Sequence, residues 1–114
     1  MIEETVKYYL DDRIVVPVYM EKPADPGESY VVITKTGSRV KNKIYSSTFS
    51  LQSVAPTLYQ SAQLNELVKM YMDNIIVLDS IISSTMVSDY EFTNTATKER
   101  RYQAVYDIKH YYGG

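Results

Sequence analysis

The sequence predicts an α+β domain: a mostly antiparallel sheet of four to five strands with two helices packed on one face. Two stretches of helical spacing, several runs of period-two alternation and short turn-like connections carry that expectation. Residues 1–114 read as a single domain, because the length is that of one ordinary domain and no linker, repeat or low-complexity tract divides it.

The first helix is expected over Met1–Leu10, where Ile2, Val6, Tyr9 and Leu10 fall on one face and Glu3 and Glu4 occupy the first turn, which the helix dipole favours. Ile14–Met20 is β-branched and holds Pro17, which cannot donate to a ladder and so predicts an edge strand. Lys22–Ser29 carries two prolines and a glycine and reads as a loop. Tyr30–Thr36 is the second strand, Thr36-Gly37-Ser38 a turn, and Arg39–Asn42 a loose passage into a third strand over Lys43–Ala55. In that strand Tyr45, Phe49 and Leu51 share one parity and Ser46, Thr48, Ser50 and Gln52 the other, as a strand with one wet face requires.

Pro56 ends the strand, and Thr57 with Gln60 forms a candidate capping box, with Ser61 as the alternative cap. The main helix follows, its apolar positions Leu58, Ala62, Leu67, Val68, Tyr71, Met72, Ile75 and Ile76 carrying it to Ile76 or Leu78. Ile82–Phe92 and Arg100–Tyr112 are the last two strands. The second places Tyr102, Ala104, Tyr106 and Ile108 on one face and Arg101, Gln103, Asp107 and Lys109 on the other.

Composition narrows the chemistry. The chain has no cysteine and one histidine, so thiolate metal sites and a cysteine nucleophile are excluded and transition-metal binding has little to draw on. Gly27, Gly37, Gly113 and Gly114 fit neither a Walker pattern nor a dinucleotide fingerprint. His110 lies on the last strand and no serine sits in a nucleophile elbow, so His110 reads as a strand-end residue facing solvent or a neighbour. Asp89 and Glu91 would project from one strand face, and with His110 they define the one enzyme alternative, a small metal-dependent or hydrolytic enzyme. No catalytic, cofactor or metal residue is otherwise assigned, and an enzyme is not expected. The longest apolar run, Ile75–Leu78, is far short of a membrane span, and Glu3 and Glu4 without a basic segment do not read as a secretory signal, so residence in the cell that makes the protein is expected.

Charge and tyrosine content point instead to contact with other proteins. Residues 1–28 hold seven acids and three bases, residues 29–65 four bases and no acid, and residues 66–114 seven acids and five bases. The net charge of -2 disfavours a dedicated DNA binder, whose affinity comes largely from neutralised phosphates. Arg39, Lys41 and Lys43 share a parity, with Lys35 just upstream across the turn, and form a candidate cationic arm or loop that would dock on an acidic partner surface or lie near a DNA path, the alternative being a solvated hairpin kept soluble by its lysines. Twelve tyrosines against two phenylalanines suit half-buried sites and interfaces, and adjacent Tyr111 and Tyr112 would point to opposite faces of the terminal strand. Lys35, Arg39, Lys41, Lys43, Tyr111 and Tyr112 are therefore the candidate docking residues.

With its elements in order, the chain resembles the tail terminator (tail completion, head–tail joining) proteins of long-tailed bacteriophages and prophages. The carriers are Val16-Pro17-Val18-Tyr19 before a Pro-rich turn, Tyr30-Val31-Val32-Ile33-Thr34-Lys35-Thr36-Gly37, Thr48-Phe49-Ser50-Leu51-Gln52-Ser53-Val54, the helix near Ser61-Ala62, and Arg101-Tyr102-Gln103-Ala104-Val105-Tyr106-Asp107-Ile108. The resemblance implies a structural virion protein assembled in the bacterial host cytoplasm. Its subunits form a ring, commonly a hexamer, that caps the head-proximal end of the tail. The implied partners are further copies of the chain, the tail tube protein, and a neck or head-connector protein, with DNA passing through the channel unread, no membrane and no cofactor. Another phage neck or head-closure protein is the alternative that shares this pattern.

Overall fold

In the computed structural model, which describes residues 1–112, the element order is α1 (Ile2–Asp11), β1 (Val18–Tyr19), β2 (Tyr30–Lys41), β3 (Ile44–Ala55), α2 (Leu58–Asp73), β4 (Ile81–Glu91) and β5 (Arg100–His110). A short 3-10 turn, Ile75–Val77, follows α2. The strands form one five-stranded sheet in the order β1-β2-β3-β5-β4. Every pairing is antiparallel except β1 with β2, which run parallel through Val18 opposite Val31 and Tyr19 opposite Val32. The α+β class, the mostly antiparallel sheet and the two helices on one face are thus as the sequence predicts.

The core lies between the helices and one sheet face. Phe49 and Leu51 of β3, Ala104, Tyr106 and Ile108 of β5, and Val31 and Ile33 of β2 meet Val6 and Leu10 of α1 and Val68 and Met72 of α2. Burying a side chain of this size is worth roughly 1.5–3 kcal/mol, so this layer holds the fold together. Polar contacts join the two helices to each other and to the sheet. The Tyr9 hydroxyl of α1 donates to the Tyr71 carbonyl of α2 at 2.7 Å, and the Tyr106 hydroxyl donates to the Asp73 carboxylate at 2.8 Å. Burial and then the Asp73 carboxylate push the Tyr106 phenol well above its ordinary range.

Several elements differ from the sequence reading. Gly37 is not a turn. β2 runs on to Lys41 and pairs with β3 throughout, so Arg39–Lys41 is ladder rather than loose chain. The reversal falls at Asn42 and Lys43, both with positive φ (53° and 65°), the signature of the two-residue type I′ hairpin turn whose twist matches its strands. The first strand shrinks to Val18–Tyr19. Pro17 has no N–H to give, and its carbonyl accepts the Val31 N–H at 2.9 Å as the pairing begins.

Thr57 caps α2, its hydroxyl accepting the Gln60 N–H at 3.1 Å, while the Gln60 side chain accepts the Thr57 hydroxyl instead of reaching the Thr57 N–H. The buried stripe of α2 is Ser61, Leu64, Asn65, Val68 and Met72, leaving Leu67 exposed. Of its two polar members, Ser61 donates to the Leu58 carbonyl and the Asn65 amide nitrogen donates to Asp89, while the buried Asn65 Oδ1 has no hydrogen-bond partner among the described residues. α2 stops at Asp73, and β5 stops at His110 rather than Tyr112.

Candidate functional site

The helix-free face of the sheet has two contrasting ends. At the lower end the loop after β1 folds over it. The Tyr30 hydroxyl donates to Glu99 at 2.7 Å, Lys22 donates to the same carboxylate at 2.9 Å, and Arg101 pairs with its other oxygen at 3.2 Å. Burial pushes the Glu99 carboxyl up, but the hydrogen bonds from Lys22 and Tyr30 outweigh it and hold the group below the usual carboxylate range. The middle of the face is a band of hydroxyls and amides, with Thr48 donating to Asp107 at 2.6 Å and Gln52 bonded to Gln103 at 2.9 Å.

At the upper end the β2–β3 hairpin projects past the end of β5, because Tyr45 is the last β3 residue opposite β5 and Ile44 has only Lys41 as partner. Arg39 shares a row with Ser46 and Lys109, so Arg39, Lys41 and Lys109 stand on one face. All three are exposed and form no salt bridge among the described residues, and with Ile44 and Ser46 they line a shallow cleft of about 580 Å³. The arrangement offers fixed positive charge on a rigid ladder, suited to an anionic protein surface.

The sequence-predicted residues divide across this geometry. Arg39 and Lys41 come together as parity predicts. Lys43 sits in the turn at positive φ, where strand alternation no longer applies. Lys35 keeps the parity of Val31 and Ile33 and lies on the helix-side face, where it pairs with Glu3 of α1 at 3.2 Å; the β-bulge between Lys35 and Gly37 then shifts the parity and carries Arg39 and Lys41 to the opposite face. Lys109 is the member that parity along β2 could not reveal. Its position on the outer face of β5 was legible, but its neighbourhood with Arg39 depends on the β2-β3-β5 order.

Tyr111 and Tyr112 lie beyond the last strand, so the opposite-face expectation does not apply to them. The Tyr111 N–H donates to the Ser80 carbonyl at 3.1 Å, and the Tyr112 ring, 85% exposed, lies 5.8 Å from that of Tyr45. Tyr45 in turn stacks on His110 at 5.7 Å. Tyr45, His110 and Tyr112, but not Tyr111, border a cavity of about 400 Å³ with Met1, Ile2, Lys35 and Ser38.

His110 is buried, not solvent-facing. Its Nδ1 lies 2.7 Å from the Tyr111 carbonyl, which can only accept, so Nδ1 carries a proton; its Nε2 lies 2.8 Å from the Ser47 hydroxyl. A carbonyl stands where a triad has its acid, and Ser47 has no exposed surface, so the pair closes the upper core. Asp89, bound by Asn65 and Lys69, lies opposite Ala104, and Glu91 accepts from Thr93, whereas His110 pairs with Ile81 at the other end of the sheet. The three do not converge, and no group of three or more His, Asp or Glu side chains able to hold a metal occurs among the described residues. No protein-family model matches the chain, and no curated protein matches it.

Proposed function

We propose that the protein is a tail terminator subunit of a long-tailed phage or prophage, acting by association alone. The subunits form a ring on the last ring of the tail tube and present the opposite face to a neck protein. The observation that carries the assembly half of this reading is the projecting hairpin, whose exposed cations Arg39 and Lys41 form no salt bridge among the described residues and stand on a paired ladder beside the upper end of the helix-free sheet face. A charge left without an internal partner costs little in water and gains its energy only when a second surface arrives. The sequence resemblance supplies the tail-specific half, since its carrier segments span β1 to β5 in order.

Light scattering coupled to size exclusion, run over a concentration series and followed by electron microscopy, tests the reading. The expected species is a closed ring of about six copies, a heterologous assembly rather than a twofold dimer. A strict monomer at every concentration would remove it.

A further inference from the structure

We infer that the ring closes by sheet extension: the outer half of β2 in one copy adds to the free edge of β4 in the next. The inference rests on the ring reading above and names the surface that makes it.

Both ends of the sheet are open. β1 covers β2 only at Val31 and Val32, so the outer side of β2 beyond them has no partner strand, and residues 34–41 are exposed. β4 is the terminal strand on the opposite side and pairs only with β5. Such edges present rows of free N–H and C=O groups that another strand can complete.

Direction and level match. Because β2, β3, β5 and β4 alternate, β4 runs opposite to β2, and two copies side by side in the same orientation bring β4 against the neighbour's β2 as an antiparallel pair. Thr36 is left over at the bulge in β2, and Ile82 and Val87 at the two irregularities in β4. The regular stretches between or beyond them are Gly37–Lys41 and Ser83–Met86. They lie in the same rows: Gly37 reaches Thr85 through Thr48 and Asp107, and Arg39 reaches Ser83 through Ser46 and Lys109.

Charge is complementary at the top of this pair. Lys41 lies one row beyond Ile81, level with Ser80, and the adjacent Asp79 is exposed with no salt bridge among the described residues. Lys109, the like charge nearest the incoming Arg39, is two strand spacings or roughly 10 Å away, about one screening length at ordinary salt. Because the paired edges are different surfaces on opposite sides of the subunit, the contact is heterologous and repeats around a ring.

The absence of cysteine from the chain makes the test direct. Gly37→Cys and Thr85→Cys place thiols on the same face and row, and a Cβ at Gly37 meets nothing within 4 Å. Within one subunit they are three strand spacings or roughly 14 Å apart, beyond the roughly 7 Å limit of a disulfide, so any bond between them joins two copies. Mild oxidation of the double variant is expected to give a ladder of covalent oligomers on a non-reducing gel, with neither single variant going beyond a dimer. Lys41→Glu is expected to weaken assembly and Lys41→Glu with Asp79→Lys to restore it. Rings in scattering with neither ladder nor rescue would overturn the edge pairing and leave the ring reading standing; a strict monomer in scattering would remove both.

Discussion

β2 is one continuous strand with two unlike halves. Tyr30, Val31 and Ile33 are at most 2% exposed, locked under α1 and the Glu99 cluster, whereas Val40 is 56% exposed. The ladder to β3 nevertheless runs unbroken from Tyr30 to Lys41 apart from the bulge at Thr36. The inner half is held by apolar burial, while the outer half is held by its backbone ladder and a two-residue turn. The tip of the hairpin therefore extends past the end of β5, and Arg39, Val40 and Lys41 are left exposed for a partner.

The largest expected effect breaks that comparison at its inner end. Leu51, opposite Ile33 and Ala104, has no exposed surface. Leu51→Ala should cost about 2–5 kcal/mol through lost burial and a cavity. Val40→Ala should stay within about 0.5 kcal/mol. Denaturant midpoints of the two variants decide the matter, and equal losses would mean that the outer half is part of the cooperative core.

The inner half was legible in the sequence for the same reason that it is stable. Phe49 and Leu51 alternate with Ser50 and Gln52 and enter the core as expected, although Ser50 on the other face is buried too, so that face is not wet throughout. The outer half was not, because no apolar alternation marks it and Gly37 looked like the turn. Its strand character comes from pairing with β3, and its true turn, Asn42-Lys43, lacks the glycine that usually announces a type I′ hairpin. The candidate site shares this fate. That Arg39 and Lys41 share a face followed from local parity, but the Thr36 bulge that sets them on the face opposite Lys35 and the strand order that delivers Lys109 are non-local. His110 is buried for a similar reason, since Ser47, its hydrogen-bond partner, comes from a different strand.

A smaller effect sharpens the comparison at the turn. Lys43 at φ 65° pays for a backbone region that glycine enters freely. Lys43→Gly should stabilise the protein by about 0.5–1 kcal/mol if the outer half unfolds together with the inner. If the hairpin tip frays on its own, the denaturant midpoint will not move, but hydrogen exchange at Arg39 and Lys41, whose N–H groups face β3, will slow.

The smallest expected effect lies in acid, where the two halves carry one depressed carboxyl each. Glu99, beside the inner half, and Glu3, beside Lys35 at the start of the outer half, are both pushed up by burial. Stronger hydrogen bonds and charges still leave them below their ordinary value of 4.5. A carboxyl whose folded pKa is lowered contributes stability above the unfolded value and loses it as pH falls through the folded one, so both contributions fade below pH 4.5. Glu99 accepts from three side chains, Tyr30, Lys22 and Arg101, whereas Glu3 has its own backbone N–H and one side chain, Lys35, with the N-terminal charge adding to them. Glu99→Gln should therefore flatten the acid limb of stability more than Glu3→Gln, measured as denaturant midpoints from about pH 6 to pH 3. The opposite ranking would place the acid-sensitive hold on the outer half, and the hairpin would then depend on α1 for its position rather than on its own ladder.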